Sequence, residues 1–185
     1  TCPSRPLSSV LPTGNRPMSG LGVRQLLLSV TCLWGGLLFA QTPCVAGVAG
    51  QYPCDGLDLM RVRSFQEMGG VPPGNGNDCW GWSKDGRELV LYGRSDGTTI
   101  IEVTDPVNPV IMADVPTASI PSLWRDIKVI GDVAFVVSEA QEHGMQVLDL
   151  SQVPNADPMT PVGTLALYTG FGSAHNIVAN PETGF

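Results

Sequence analysis

The sequence predicts an all-β fold, and specifically a β-propeller assembled from four-stranded antiparallel blades. From residue 77 onward, short apolar and β-branched runs alternate with turns rich in Gly, Asp, Asn and Pro, a pattern typical of strands joined by tight turns. The order of these runs recurs after roughly 48 to 50 residues, a period typical of propeller blades. Because one four-stranded unit cannot bury both of its faces, such units are expected to stack around an axis. The sequence holds about two and a fraction of these blades, so we expect an incomplete propeller.

The first unit illustrates the pattern. Glu88 to Tyr92 reads ELVLY, an apolar run suited to a buried strand, and 98–103 reads TTIIEV, a β-branched run. Turn residues separate the runs, from Lys-Asp-Gly at 84–86 to Asp-Pro-Val-Asn-Pro at 105–109. The strands predicted for this unit are 79–83, 88–92, 98–103 and 110–115.

The second unit repeats this order with one longer loop, at 139–144. Its predicted strands are 125–130, 133–138, 145–150 and 162–167. A third unit is predicted to begin at Ala174. Asp78, Asp126 and Asn176 occupy matching positions in the three units.

The N-terminal part divides into three segments before the propeller at 77–185. Residues 1–17 are interpreted as an overlong extension, 18–40 as a signal peptide and 41–76 as a cysteine-containing lead-in. Arg24 precedes an apolar stretch of about fifteen residues, too short for the roughly twenty that span a bilayer, and Leu38 and Ala40 suit a cleavage site. We therefore expect a secreted chain without a transmembrane helix after cleavage; an uncleaved anchor is the alternative.

Export places the cysteines in an oxidising compartment. Cys44 and Cys54 are then predicted to form a disulfide that closes a small loop. Cys79 has no partner in this scheme, and its position in an aromatic, strand-like run predicts burial.

The charge of the chain limits the class of partner. The formal net charge is −7, and an acidic surface repels phosphate backbones and anionic lipids. Nucleic acid is therefore not expected as a partner, whereas divalent cations are electrostatically easier to bind.

Several stretches of the chain together resemble a known family. NDCWGW, GRSDGTTIIEVTDPVNPV, SLWRDIKV, SEAQEHGMQVLDL and SAHNIVANPETGF are similar to segments of the secreted LVIVD-repeat proteins, also called the choice-of-anchor B family. The resemblance covers roughly 44–185 and implies a secreted or surface β-propeller, in some members anchored through a further C-terminal region. It implies no catalytic residues. In the family the first of these motifs usually reads NDIWGW, so Cys79 of this chain stands where the family has an isoleucine.

The matched dipeptides are the first candidate site. In a propeller the first strand of each blade lines the central channel, so Asp78, Asp126, His175 and Asn176 are expected to converge there. Their oxygens could bind Ca²⁺, and His175 could recruit a softer metal. The alternative is that these side chains bond neighbouring blades, with Arg125 neutralising an aspartate.

Two further sets of residues are candidates for ligand binding. Glu139 and His143 lie in the longer loop of the second unit, where they either bind a ligand or form a solvated polar surface. Trp80, Trp82 and Trp124 either form an aromatic binding surface or pack between blades.

No nucleophile, zinc-protease or phosphate-loop motif occurs in the sequence. The function we expect is non-catalytic binding of an extracellular protein or glycan. The alternative is an extracellular metal-assisted hydrolase with its site in the channel.

Overall fold

The computed structural model describes residues 41–151, 153 and 162–185, and these residues form an all-β fold. The extension and signal peptide predicted at 1–40 lie outside them. The described strands are β1 Val48–Ala49, β2 Tyr52–Pro53, β3 Gly76–Lys84, β4 Arg87–Arg94, β5 Gly97–Glu102, β6 Val110–Pro116, β7 Arg125–Ile130, β8 Val133–Ser138, β9 Met145–Asp149 and β10 Gly163–Tyr168. No helix in these ranges is long and apolar enough to cross a membrane.

Sheet 1 is a four-stranded antiparallel meander in the order β3-β4-β5-β6, as the sequence predicts. The β3–β4 turn uses Asp85 and Gly86, whose φ angles are 51° and 77°. Such positive φ values favour Gly and Asp, and this is why the Asp-Gly pair marked the turn. The β5–β6 loop is closed by Asp105, whose carboxylate accepts hydrogen bonds from the Val107 amide and the Asn108 side chain.

Sheet 2 repeats the meander with β7, β8, β9 and β10 in consecutive order. The two sheets lie next to each other through their first strands, β3 and β7. At one end of this contact Trp82 Nε1 donates to the Gly131 carbonyl oxygen over 2.9 Å, and Lys84 Nζ lies 2.6 Å from Asp132 Oδ2. The β7–β8 turn is thus fastened to the end of β3.

The hydrophobic core fills the space between the sheets. One face of sheet 1 supplies Leu89, Leu91 and Ile100, and the facing side of sheet 2 supplies Ile127 and Val136, all fully buried. These residues alternate with more exposed ones along their strands, because successive side chains point to opposite faces. The period-two pattern that predicted the strands therefore also identifies the core.

The aromatic run in β3 divides between core and surface. Trp82 belongs to the core cluster, which confirms inter-sheet packing for this indole, whereas Trp80 and Trp124 are exposed. The predicted burial of Cys79 is wrong: its thiol is free and exposed. Cys79 pairs with Tyr92 on the face of sheet 1 that points away from sheet 2, so strand periodicity places it opposite the core.

The lead-in is an ordered part of the fold. The predicted Cys44–Cys54 disulfide is confirmed, with a Cα–Cα distance of 5.9 Å, and it spans the β1–β2 hairpin. Residues 60–70 then pack on the back face of sheet 1, defined as the face away from sheet 2. There Arg94 Nη1 and Thr99 Oγ1 each donate to the Met68 carbonyl oxygen over 2.6 Å.

The third unit forms no strand within the described residues, although its first residues were predicted to begin one. It runs beside sheet 2 instead: the Ala174 amide donates to the Ser138 carbonyl oxygen over 2.9 Å. A strand needs a paired neighbour for its backbone groups, and here the Ser138 carbonyl oxygen and the Asp126 side chain of sheet 2 supply individual acceptors.

Candidate functional site

The three matched dipeptides line one cleft of about 280 Å³, which we call the inter-unit cleft. Asn77-Asp78 lies near the start of β3 and Arg125-Asp126 lies at the start of β7, and the adjacency of these strands places the two dipeptides side by side. His175-Asn176 lies where the chain passes Arg125-Asp126. The lining residues are Asn77, Asp78, Trp124, Arg125, Asp126, His175 and Asn176.

Each aspartate of the cleft bonds the backbone of the following unit. Asp78 Oδ2 accepts a hydrogen bond from the Ile127 amide over 2.9 Å, and Asp126 Oδ2 accepts one from the Ile177 amide over 2.7 Å. Asn176 Nδ2 also lies 3.4 Å from Asp126 Oδ2. The same bond is therefore made twice, one repeat apart, and it is the inter-unit bonding that the sequence left open as the alternative to a metal site.

Lys128, and not Arg125, neutralises these carboxylates. Its ammonium group bonds Asp126 Oδ1, lies 3.7 Å from Asp78 Oδ2 and sits 4.5 Å from the centroid of the Trp80 ring. Lys128 follows Asp126 by two residues on the same strand face. That spacing was a signal for this ion pair, and the sequence reasoning missed it because it compared only the matched positions.

The two aspartates respond to this environment in opposite ways. Burial and a hydrogen bond with Asp126 raise the pKa of Asp78, against the lowering by the Ile127 amide and Lys128. Burial would also raise the pKa of Asp126, but hydrogen bonds from Lys128, Asp78 and the Ile177 amide outweigh it and lower the pKa to about 2. Asp126 is thus the anion that holds Lys128, and Asp78 is the carboxyl that protonates first.

A cation of the protein already lies between the two carboxylates. Across the described ranges, no group of three or more His, Cys, Asp and Glu residues is placed to hold a metal ion. Ca²⁺ at Asp78, Asp126, His175 and Asn176 stays a prediction from the sequence.

Trp124 and His175 form an exposed wall of the inter-unit cleft, and Glu139 lies beside it as the partner of His175. His175 Nδ1 lies 2.5 Å from Glu139 Oε1, with 57% and 42% of their side chains exposed. Trp124 is 53% exposed, and the centroid of its ring lies 5.7 Å from that of the His175 ring. Glu139 and His175 were assigned to two different candidate sites, whereas the structure brings them together beside the one indole that borders the cleft.

His143 does not belong to a solvated surface: the side chain is fully buried. Its Nε2 lies 2.8 Å from Arg125 Nη1, and its Nδ1 lies 3.0 Å from the Gly144 carbonyl oxygen. Because Arg125 can only donate, Nε2 must accept, which leaves the proton on Nδ1. The interpretation of residue 143 as part of a solvated polar loop is therefore wrong.

Arg125 explains why this histidine is buried. Its Nε donates to the Arg94 carbonyl oxygen over 3.0 Å, its Nη2 donates to Thr117 Oγ1 over 2.9 Å, and Nη1 bonds His143. Burial lowers the pKa of Arg125 to about 10. The guanidinium thus ties sheet 1, the β6–β7 connection and the loop before β9 together through neutral acceptors, while the cleft aspartates pair with Lys128.

Comparison of the chain with protein-family models, with curated proteins and with solved structures gives no match.

Proposed function

We propose that this chain is part of a secreted or cell-surface β-propeller that binds an extracellular glycan or protein without catalysing a reaction on it. Support for the architecture comes from the repeated four-stranded meander, from the adjacency of the first strands β3 and β7, and from the aspartate-to-amide bond that recurs at Asp78 and Asp126. The resemblance to LVIVD-repeat proteins favours the same architecture and export.

The observation that carries the binding role is the exposed wall of the inter-unit cleft. An indole face offers apolar area to a sugar ring, and neighbouring carboxylate and imidazole groups can bond its hydroxyl groups. Trp124, Glu139 and His175 supply this combination. Of the two ligand classes, this wall favours a glycan.

The interior of the cleft supports binding over hydrolysis. Asp78 and Asp126 are engaged by backbone amides of the following unit and by Lys128. Carboxylates held by such structural contacts are less available to act as the acid, base or nucleophile of a hydrolase.

The test is a glycan array followed by titration calorimetry on the best ligand. Trp124→Ala should weaken binding at least roughly tenfold, because a stacked aromatic residue at the centre of a site commonly contributes more than about 1.4 kcal/mol. Ile120→Ala removes an equally exposed apolar side chain outside the cleft, and it should leave the affinity unchanged.

Two outcomes contradict this proposal. Equal losses in Trp124→Ala and Ile120→Ala would place the ligand elsewhere. Release of a cleaved product from a bound glycan would make the module an enzyme. A third outcome changes only the ligand class. If the array shows no ligand but a protein partner binds with an affinity that depends on Trp124, the inter-unit cleft is the binding site and its ligand is a protein.

A further inference from the structure

A second cavity, of about 300 Å³, lies between the lead-in and the back face of sheet 1. Met60 and Met68 of the lead-in form one wall, and Val90 and Ile101 of β4 and β5 form the other, with the Tyr92 ring beside them. The loop that follows β5 closes one side. This cavity is separated from the inter-unit cleft, because it lies on the opposite face of sheet 1.

The walls of this cavity are held in place by bonds that need no ligand. The Met68 carbonyl oxygen accepts from Arg94 Nη1 and Thr99 Oγ1, and Arg63 Nη2 donates to the Pro109 carbonyl oxygen over 3.0 Å. The lead-in is thus fastened to β4, β5 and the β5–β6 loop around the cavity. A preformed, largely apolar space of this kind is typical of small-molecule sites.

The charged residues that line this cavity are both arginines, Arg61 and Arg63. Arg61 is exposed, and within the part of the chain that the structure describes it makes no hydrogen bond or ion pair. Arg63 is 3.4 Å from Glu67 through Nη1, while its Nε is buried without a hydrogen-bond partner. In a chain of net charge −7, two guanidinium groups with unused donors therefore border one apolar cavity.

We propose that this cavity binds a small amphipathic carboxylate, whose apolar part lies among Met60, Met68, Val90 and Ile101 and whose carboxylate bonds Arg61 and Arg63. The planar guanidinium fork matches a carboxylate in geometry and charge. A neutral apolar ligand would fill the space but leave the arginine donors unpaired. The volume lies near the lower limit of about 300 Å³ for ligand pockets, which selects a medium-length chain or single ring over a sterol.

Tyr92 borders the same cavity, while its hydroxyl group lies against Gly76. This site rests on different residues from the proposed glycan site, and either one can fail without the other.

The test uses the methyl groups of the methionines as reporters. The full chain is labelled with ¹³C at its methionine methyl groups and titrated with sodium octanoate, and a parallel sample is titrated with 1-octanol. The Met60 and Met68 signals should shift and saturate with octanoate, while Met145, on the far side of sheet 2, should not move. Octanol, which lacks the charge, should bind at least tenfold more weakly.

Arg61→Gln should weaken octanoate binding about tenfold. Arg61→Lys should cause an intermediate loss of affinity, because it keeps the positive charge but not the planar guanidinium group that bonds both carboxylate oxygens. Lys84→Gln removes the same charge at a residue outside the cavity and should have no effect. Arg61 is exposed and unpaired, so its replacement should leave the melting temperature unchanged.

Three results would overturn the proposal. Octanol binding as tightly as octanoate would mean simple apolar partition. Equal effects of Arg61→Gln and Lys84→Gln would mean a general response to net charge. Unshifted Met60 and Met68 signals would place the octanoate elsewhere. If Trp124→Ala then weakens octanoate binding, the octanoate lies in the inter-unit cleft.

Discussion

Replacing His143 by glutamine should remove a pH dependence of stability that the wild-type chain shows below neutral pH. Burial lowers the pKa of His143 below its ordinary value of 6.5; the bond to Gly144 opposes this shift and the nearby Arg125 guanidinium adds to it. Protonation would place a second positive charge 2.8 Å from Arg125 and remove the acceptor that its Nη1 uses. The folded chain therefore resists protonation, and the unfolded chain does not.

The sign and size of the effect follow from proton linkage. Because the folded-state pKa is depressed, the stabilisation by neutral His143 is complete above pH 6.5 and is lost as the pH falls below 6.5 toward the folded-state pKa. One proton bound by the unfolded state alone gives a slope of at most about 1.4 kcal/mol per pH unit. The free energy of unfolding should thus fall by up to this amount per unit in the wild type and less in His143→Gln.

The assay is urea denaturation followed by tryptophan fluorescence at pH 8, 7, 6 and 5.5. The chain has two histidines, so His175→Gln is a matched control at an exposed site and should keep the wild-type slope. The raised pKa of Asp78 has the opposite pH dependence, but it contributes equally to the wild type and both variants. Parallel slopes for the wild type and His143→Gln would refute a buried neutral imidazole.

Three other predictions concern the contacts that hold the units together. Asp126→Asn keeps an acceptor for the next unit but removes the carboxylate nearest to Lys128, so it should lower the free energy of unfolding by about 1 to 3 kcal/mol in urea titrations; an unchanged midpoint would contradict the ion pair. Cys44→Ser should lower the melting temperature and speed proteolysis of the lead-in, since losing a native disulfide commonly costs about 2 to 5 kcal/mol. An unchanged rate of cleavage would mean that the Cys44–Cys54 disulfide does not stabilise the lead-in. Arg94 donates to the Met68 carbonyl oxygen and, through Nη2, to Asp114 Oδ1 of β6 over 2.6 Å. Arg94→Lys should destabilise by about 2 to 4 kcal/mol, because an ammonium group cannot reach both acceptors, and a variant as stable as the wild type would contradict this anchoring role.

The strands could be predicted from the sequence because their signals are local. The apolar run at 88–92 lies within β4, and β5 covers all but the last residue of the β-branched run at 98–103. The Asp-Gly turn between β3 and β4 stands where the sequence predicts it. These signals depend on backbone conformation and on which face is buried, and both are set within a few residues. The order of the strands then follows from short connections, which leave antiparallel neighbours.

The partners of the polar side chains could not be predicted in the same way. His143 is polar and lies in a loop, two properties that indicate exposure, yet its acceptor is needed by a guanidinium from β7. The pairing of Lys128 with Asp126 is local, but its contact with Asp78 spans a whole unit and has no local signal. Contacts of this kind are set by how two sheets pack, and local patterns contain no information on that packing.

The sequence predicts the lead-in as a segment before the folded domain, but its contacts make it part of that domain. Without it, Tyr92 and Ile101 on the back face of sheet 1 would face solvent, and the buried Arg94 would lose the Met68 carbonyl oxygen. Residues 60–70 thus cover the apolar back face of sheet 1. A chain truncated to begin at Asn77 would therefore lose a structural layer.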